Sequence, residues 1–163
     1  MLVISALMNR GSITKRQTIS MGTSIEILVK DHDADSANKA ITEAFNEINR
    51  INDKYSAYED DNLMAKINSS DDTLKVDSET FKLLQECRNY HKITDKRFDP
   101  AVGKVLRKMG FEGNGEKRLP EPEEIRNVLA STGWKHVHLL KNNRIFIKDG
   151  VKLSFGAIAK GYA

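Results

Sequence analysis

The sequence predicts an α+β domain in which helices pack on a mainly antiparallel sheet. Three observations predict this class: two β-rich stretches near the amino terminus, a central run of segments with helical periodicity, and closing β-rich stretches separated by tight-turn residues. Because the helical segments are grouped together and do not alternate with strands, an antiparallel sheet is favoured over a parallel one.

The first predicted element is a pair of strands. Ser12–Ser20 and Thr23–Lys30 are rich in Ile, Val and Thr, and the second stretch alternates polar and apolar side chains as a half-buried strand does. Met21 and Gly22 separate the stretches, so the sequence predicts either a hairpin or one strand broken at that glycine. The apolar start of residues 1–11 lacks the basic residues and the length of a complete secretory signal. These residues are expected to be disordered or the remnant of a leader.

A long helix is predicted over Asp33–Lys54. Its apolar residues recur at spacings of one, three and four, which gives one apolar face, and either Asp35 or Ser36 could cap its start. Two shorter amphipathic helices are predicted over Asp60–Asn68 and Ser78–His91.

Proline and glycine bound the helices that follow. Pro100 is predicted to open a helix that closes at Gly110. Gly113–Pro122 is the loosest segment of the chain and is predicted to be an exposed loop. Pro122–Ala130 is predicted to be a helix, because the glutamates in its first turn suit the helix dipole.

The carboxyl-terminal region is predicted to form a three-strand meander. Val137–Leu140 and Arg144–Lys148 flank a two-asparagine turn, a residue type that tolerates positive φ. An Asp-Gly turn then leads into Val151–Phe155, which is predicted to be the third strand.

Composition excludes several classes of protein. The 163 residues carry 26 Lys and Arg against 23 Asp and Glu, a net charge of +3 that is spread along the chain, so nucleic-acid binding is not predicted. No run of about 18 apolar residues is present, so no membrane span is predicted. Cys87 is the one cysteine, which excludes an intrachain disulfide and a multi-cysteine metal site, and it is expected to be a buried small apolar residue.

Residues 94–103, Thr-Asp-Lys-Arg-Phe-Asp-Pro-Ala-Val-Gly, are the first candidate site. Asp95 and Asp99 flank Phe98 just ahead of the helix predicted to open at Pro100, whose backbone amides could hold an anion. Alternatively, Asp99 could accept those amides as a helix cap, and the residues alone favour the cap.

Residues 153–163 are the second candidate site. Small residues after Gly156 would let a ligand approach the backbone, and Lys160 offers a point charge for phosphate, although the nucleotide-binding P-loop pattern is absent. The alternative is a strand-to-helix turn that needs glycine for close packing and carries a solvated lysine.

Two further patterns carry weaker signals. Tyr55 and Tyr58 could stack on a planar ring, although aromatic residues at a helix end more often belong to the core or the surface. His136 and His138 are expected to share one face of a strand, but no third metal ligand is evident, so both are interpreted as surface residues.

Taken in order along the chain, these segments resemble the ApbE family. The segments that carry the resemblance are Met21–Thr23, Tyr55–Tyr58, Asn68, Thr94–Asp95, Phe98–Pro100, Val102–Gly103, Met109–Phe111 and Gly156–Ala163. The family comprises FAD:protein FMN transferases, long described as thiamine biosynthesis lipoproteins. The resemblance runs from about Ile13 to the last residue.

The resemblance implies an enzyme that depends on FAD and Mg²⁺. Members of the family split FAD at its diphosphate, attach the FMN half to a Ser or Thr hydroxyl of a target protein and release AMP, which is a phosphoryl transfer. FAD and a flavin-accepting protein are therefore the expected partners. The fold is expected to be the incomplete amino-terminal portion of a larger α/β-layered domain, with residues 1–163 as a single partial domain.

The resemblance also implies which residues form the site, although it indicates no catalytic residue. The side chains and backbone expected to contact FAD belong to Met21, Tyr58, Arg97, Phe98, Asp99, Ser154 and Lys160. The backbone oxygen of Ala157 is expected to ligate the metal.

Departures from the family pattern limit these expectations. The family often has glycine where Lys96 stands, a small residue where Arg97 stands and aspartate where Ser154 stands. A lipid-bearing leader is not seen, and family chains continue beyond Ala163 with the Asp and Thr metal ligands. Because Mg²⁺ takes an octahedral shell of oxygens, this chain alone is expected to bind FAD weakly and to lack transferase activity. The alternative interpretation is a non-catalytic flavin-binding module.

Overall fold

The structure, a computed structural model, describes residues 11–112 and 117–163. The predicted α+β class is confirmed, since the described residues form helices and antiparallel sheets. The chain divides into two compact units, one extending to Asn52 and the other running from Asp53 to Tyr162. Residues 113–116 of the predicted loop lie outside the described residues, and residues 117–121 have no regular secondary structure.

The first unit contains an antiparallel hairpin. Strand β1 (Ser12–Ser20) pairs with β2 (Thr23–Asp31) along its whole length. Met21 and Gly22 connect the strands with φ of +51° and +68°, the positive φ at both positions that a two-residue type I′ turn requires. The structure therefore has a hairpin and not a broken strand.

Helix α1 (Ala34–Tyr55) follows the hairpin as predicted. The Asp33 carboxylate accepts the amides of Asp35 at 3.1 Å and Ser36 at 3.3 Å, so Asp33 caps the start. The expected caps were wrong, because the amides of Asp35 and Ser36 are the donors of these hydrogen bonds. In the same unit Arg16 joins β1 to α1 by donating to Thr42 Oγ1 at 2.6 Å.

The second unit contains the remaining helices and a small sheet. Its helices are α2 (Leu63–Ser69), α3 (Ser78–Ile93), α4 (Gly103–Lys108), α5 (Pro122–Leu129) and α6 (Ala159–Tyr162). Strands β3 (Leu74–Lys75), β4 (Val137–Leu140) and β5 (Arg144–Ile147) form an antiparallel sheet in the order β3-β5-β4.

The third strand of this sheet is not the predicted one. Val151–Phe155 pairs with no strand among the described residues, because its backbone bonds elsewhere: Lys152 O accepts the Gly103 amide at 2.9 Å and the Ser154 amide donates to Pro100 O at 2.8 Å. The third strand is the two-residue β3, where Leu74 pairs with Ile145. The asparagine turn between β4 and β5 is confirmed, with φ of +59° and +56°.

Helix α4 begins three residues later than predicted, at Gly103 rather than Pro100. The Gly103 amide donates to Lys152 O, and a Cβ at this position would lie 2.8 Å from that oxygen. This close approach of two backbone segments requires glycine. The predicted end is confirmed, because Gly110 follows the C-terminal cap residue Met109 with φ of +70°.

The core of the second unit lies among α2, α3 and the segments around the sheet. Its largest fully buried side chains are those of Met64, Ile67, Leu83, Leu84, Ile145, Leu153 and Phe155. The ring of Tyr55 packs edge-on against that of Phe155, with centroids 5.3 Å apart, and its hydroxyl lies 3.0 Å from Thr80 Oγ1. Cys87 is buried as expected. None of the described helices is both long and apolar enough to cross a membrane.

Candidate functional site

A cleft of about 340 Å³ in the second unit brings two of the sequence motifs together. The residues that line it come from α3, from the segment after α3 and from the carboxyl-terminal motif: Leu83, Glu86, Tyr90, Thr94, Phe98, Ala157, Ile158, Gly161 and Tyr162. The walls are predominantly apolar and include three aromatic rings, a lining that suits a planar organic ligand.

Thr94 shapes one wall of this cleft. Its hydroxyl donates to Tyr90 O at 2.7 Å and accepts the Phe98 amide at 3.0 Å, so the loop returns to the end of α3. The Phe98 ring meets the Tyr90 ring edge-on at 6.0 Å.

The loop between Thr94 and Phe98 uses left-handed backbone. Asp95 and Lys96 have φ of +52° and +64°, values that glycine adopts without the steric cost of a Cβ. Arg97 is exposed and does not line the cleft.

The carboxylate of Asp99 is held by backbone amides. Oδ1 accepts the Ala101 amide at 2.8 Å and Oδ2 accepts the Trp134 amide at 3.0 Å, while His91 Nδ1 lies 3.7 Å from Oδ2. The prediction that Asp99 caps the following helix was wrong, because Val102 is the N-cap residue of α4 and the start of α4 has no side-chain cap hydrogen bond. The amides that Asp99 accepts lie outside α4. They belong to the turn after Pro100 and to the 3₁₀ turn at Trp134–His136.

The carboxyl-terminal motif forms the opposite wall. Phe155 O accepts the Ala159 amide at 2.8 Å, which folds residues 156–158 into a turn ahead of α6. Ala157 and Ile158 line the cleft, whereas Lys160 is exposed and does not. The expected need for glycine in close packing was wrong, since a Cβ at Gly161 would meet no described atom within 4 Å and a Cβ at Gly156 would make only an ordinary contact, 3.6 Å from Ser154 Oγ.

The carboxylate of Glu79 joins α6 to the start of α3. Tyr162 Oη donates to Glu79 Oε1 at 3.2 Å, and Lys54 Nζ contacts Glu79 Oε2 at 2.5 Å and Asp77 Oδ1 at 3.0 Å. Burial lowers the pKa of Lys54, but the hydrogen bonds to Glu79 and Asp77 outweigh it, so this pKa lies above its usual value.

The two tyrosines of residues 55–58 have different environments. Tyr55 belongs to the core, whereas the Tyr58 side chain is 61% exposed and its hydroxyl donates to Phe111 O. The Tyr58 ring is therefore open to a stacking partner. A smaller polar cleft of about 230 Å³ is lined in part by the residues that adjoin Tyr58 in the sequence. Its lining residues are Ser56, Ala57, Glu59, Asp60, Met64, Ala65, Asn68, Ser69, Arg107 and Lys152.

Ser154 lies in the interior beside a carboxyl group that the sequence analysis missed. Ser154 is 4% exposed and Glu112 is 7% exposed. Burial raises the pKa of Glu112, and the nearby Ser154 hydroxyl and the charge of Arg107 oppose this rise. Glu112 belongs to no motif of the sequence analysis, so nothing in the sequence signals its burial.

Met21 is the one expected site residue in the first unit. It is half-buried and occupies the left-handed region at the hairpin turn. A non-glycine residue with positive φ is uncommon, and such strained positions cluster at functional sites.

The described residues do not fit a magnesium site. No group of three or more His, Cys, Asp or Glu side chains in residues 11–112 and 117–163 could hold a metal ion. No backbone amide in these ranges donates to Ala157 O, so this oxygen is open, but one carbonyl falls far short of an octahedral oxygen shell.

The histidines do not form a metal site either. The expected shared strand face is wrong, because His136 lies in the 3₁₀ turn and His138 in β4. His136 Nδ1 lies 2.8 Å from Asp149 Oδ2, and its Nε2 is buried without a partner among the described residues, so His136 is not the expected surface residue. His138 is exposed as expected and stacks on Phe146.

Sequence comparison relates the chain to flavin transferases. The model of the ApbE family matches residues 21–163. An FAD:protein FMN transferase of Buchnera aphidicola is 30% identical over 66% of this chain and 34% of its own length. Another, of Chlamydia muridarum, is 28% identical over 78% of this chain and 40% of its own length.

Structural comparison gives the same relationship. The ApbE protein of Thermotoga maritima superposes with a TM-score of 0.84 and 36% identity, covering 93% of this chain and 50% of that one. The flavinyl transferase ApbE of Pseudomonas stutzeri shares the fold with a TM-score of 0.78 at 21% identity, over 94% of this chain and 50% of that one. The chain thus spans a third to a half of the length of these relatives.

Proposed function

The chain belongs to the ApbE family, as its motif order predicted, and we propose that it forms a portion of an FAD:protein FMN transferase. Its relatives carry that name, and the chain aligns with about half of their length or less. FAD is the proposed substrate, and a protein with a Ser or Thr hydroxyl is the proposed acceptor of FMN.

The cleft is the observation that carries this proposal. Phe98, which is expected to contact FAD, and Ala157, whose backbone oxygen is expected to ligate the metal, line the same cleft although they lie far apart in the chain. Tyr90, Phe98 and Tyr162 supply apolar and aromatic surface that suits a planar ring system. We propose that this cleft receives an aromatic moiety of FAD, with Tyr58 as a further contact from the same unit. For Met21, contact with FAD stays a prediction from the family resemblance.

The remaining expected residues have different proposed roles. Asp99 fixes the backbone behind Phe98 through the Ala101 and Trp134 amides, so it acts on the site through the loop. Lys160 and Arg97 are exposed and bring positive charge near the two motifs, where they would attract the diphosphate of FAD.

In the proposed reaction, the acceptor hydroxyl oxygen forms a bond to the FMN phosphorus of FAD. The bond between that phosphorus and the bridging diphosphate oxygen breaks, the oxygen leaves with AMP, and the hydroxyl proton is released. Mg²⁺ would neutralise diphosphate charge in such a transfer. The described residues do not make a magnesium site, and we therefore assign no step to the metal in this chain.

The experiment that tests the proposal is an FAD titration of the 163-residue chain, followed by tryptophan and flavin fluorescence. Saturable binding is expected, and Phe98→Ala is expected to weaken it about tenfold through loss of aromatic contact. Phe146→Ala is the matched control, since Phe146 lies on β5 outside the cleft lining. Absence of saturable binding by the folded chain would contradict the proposed site.

A second candidate, a flavin-binding module without catalysis, is favoured by the missing metal ligands among the described residues. An assay with FAD, Mg²⁺ and a Ser/Thr acceptor peptide distinguishes the two. We expect the chain alone to bind FAD without releasing AMP. AMP release together with flavinylated peptide would show that this chain is a complete catalyst.

A further inference from the structure

The cleft has one formally charged side chain among its described lining residues, that of Glu86. The remaining lining residues are apolar, aromatic or neutral polar. Neither the sequence motifs nor the proposed reaction uses this glutamate. Ligand sites typically combine apolar walls with a small number of polar groups that fix the orientation of the ligand. Glu86 is therefore a candidate for such an orienting group.

Glu86 lies on the face of α3 that forms one wall of the cleft. Leu83, Glu86 and Tyr90 follow one another at spacings of three and four residues, and the C-terminal cap residue Thr94 continues the row. Residues at these spacings share one face of a helix. The helix therefore places the Glu86 side chain between Leu83 and Tyr90 at the cleft.

The carboxylate of Glu86 has no ion pair and no hydrogen bond within residues 11–112 and 117–163. The hydroxyls of Thr94 and Tyr162 in the same lining, by contrast, already have partners in Tyr90 O and Glu79 Oε1. An ionised carboxylate only accepts hydrogen bonds. Its oxygens are therefore suited to a ligand group that donates one.

The charge of Glu86 also decides which part of FAD the cleft suits. FAD has two neutral ring systems with N–H donors, the flavin and the adenine, and a negatively charged diphosphate between them. A diphosphate beside Glu86 would be repelled, and the repulsion is strong where apolar walls lower the dielectric constant. A ring N–H would instead form a charge-assisted hydrogen bond with the carboxylate, which is stronger than a neutral one.

The positive charges near the two motifs lie outside the cleft lining. Arg97 and Lys160 are both exposed and line no part of the cleft. A negative group within the lining and positive groups outside it match a ligand with a neutral ring in the cleft and a diphosphate outside.

We propose that Glu86 is a specificity-determining residue, which accepts a hydrogen bond from a ring N–H of FAD and excludes the diphosphate from the cleft. This inference rests on the proposed function, because the ligand is FAD. The chemistry that Glu86 selects is a neutral planar ring with an N–H donor, which the flavin and the adenine both supply. Compounds that carry one ring and no phosphate distinguish the two sources.

The test measures binding of riboflavin and of adenosine to the 163-residue chain by calorimetry. Each compound is compared with a methylated form that lacks the ring donor: riboflavin methylated at its ring N–H, and adenosine dimethylated at its exocyclic amine. The ring that occupies the cleft is expected to bind about tenfold more tightly than its methylated form. The other ring is expected to show no such difference.

Substitutions of Glu86 show whether this carboxylate is the acceptor. Glu86→Ala is expected to weaken binding of the unmethylated ring about tenfold and to bring the two forms within about twofold, because the hydrogen bond is already lost. Glu86→Gln keeps an acceptor oxygen without the charge and is expected to retain a difference of about threefold. A role in packing alone would leave the effect of methylation unchanged.

The matched control is Glu123→Ala, which removes an exposed glutamate of α5 in the same unit, outside the cleft lining. It is expected to leave both affinities within about twofold of the parent chain. Glu86 is itself exposed, so its variants are expected to fold, and circular dichroism checks this.

An equal effect of methylation in the parent chain and in Glu86→Ala would overturn the proposal. Tighter FAD binding by Glu86→Ala would also overturn it, because the diphosphate would then lie beside the carboxylate. If the parent chain binds FAD without any dependence on Glu86, only the role of Glu86 fails. If it binds a ring compound in the expected way but not FAD, the proposed function fails and the selectivity of Glu86 stands. Binding of neither ring compound by the folded chain would overturn the role of Glu86.

Discussion

The side-chain amide of Asn68 pairs with both backbone groups of Leu153. Nδ2 donates to Leu153 O at 2.9 Å, and Oδ1 accepts the Leu153 amide at 2.7 Å. The Asn68 side chain thus makes the two hydrogen bonds that the backbone of a neighbouring strand would make to Leu153. Lys152 Nζ adds a hydrogen bond to Asn68 O. The end of α2 therefore fixes the extended segment that leads into the cleft wall.

Asn68→Ala is expected to lower the free energy of unfolding by about 1–3 kcal/mol, because both Leu153 groups lose their partner in a buried segment. Urea unfolding followed by circular dichroism measures the effect. Asn38→Ala is the matched control, since Asn38 Nδ2 is exposed and bonds Ala34 O of its own helix, and it is expected to change stability by less than about 0.5 kcal/mol. Equal losses in the two variants would contradict the role of Asn68.

Asp99→Ala is expected to destabilise the protein by about 1–3 kcal/mol, because the Ala101 and Trp134 amides lose their acceptor. Thermal unfolding measures this loss, and Asp71→Ala, on an exposed loop, serves as the control. Asp99→Asn keeps one acceptor oxygen and is expected to lie between the two. If Asp99→Ala kept full stability and lost only FAD affinity, the carboxylate would be a direct ligand and not a cap.

Glu124 is expected to titrate near pH 2. The hydrogen bonds from Arg118 and from the Glu121 amide lower the pKa of Glu124 from 4.5 to about 2. A lowered folded-state pKa contributes stability above pH 4.5 that is lost as the pH falls toward 2. NMR titration of the Glu124 carboxyl carbon measures the midpoint.

The matched variants for Glu124 are Arg118→Gln and Lys108→Gln. Arg118 makes two hydrogen bonds to this carboxylate, at 2.7 and 2.6 Å, whereas Lys108 makes one at 3.4 Å. Arg118→Gln should therefore raise the midpoint toward 4.5 more than Lys108→Gln does. The reverse order would show that the ion pair with Arg118 does not form in solution.

Cys87 is expected to be unreactive in the folded protein. Burial raises the pKa of its thiol to about 12, so the reactive thiolate is scarce under mildly alkaline conditions and the sulfur is also shielded. Labelling with a chromogenic disulfide reagent should be negligible in buffer and reach one thiol per chain in denaturant. Rapid labelling of the native chain would contradict the burial of the Cys87 side chain on α3.

Gly103→Ala is expected to destabilise the protein by about 1–3 kcal/mol, because the added Cβ would press on Lys152 O and push the two backbone segments away from each other. Gly161→Ala is the control, since a Cβ there would meet no described atom within 4 Å. Chemical unfolding of both variants measures the difference. Similar stabilities would mean that the backbone at residues 103 and 152 moves apart at little energetic cost.

The sequence by itself determined the elements whose signals are local. The two strands on either side of Met21-Gly22, the long helix α1 and the asparagine turn follow from periodicity and turn chemistry within a few residues. That the two strands pair as a hairpin was decided by the structure. The motif order likewise identified the family, because each motif is read directly along the chain.

The tertiary structure decided what depends on partners distant in the chain. The strand beside β5 is Leu74–Lys75 and not Val151–Phe155, because the latter bonds to Pro100, Gly103 and Asn68. A pattern of apolar residues predicts an extended segment equally well in both cases, since it does not specify which backbone receives the hydrogen bonds.

For the candidate site too, the sequence determined one part and the tertiary structure another. Phe98 and Ala157 were named from their motifs, but only packing shows that they share a cleft while Arg97 and Lys160 lie outside its lining. Glu112 carries no sequence signal, because its burial is set by the folded chain. Local patterns fix the backbone conformation of a segment, and long-range contacts decide which side chains the segment brings together.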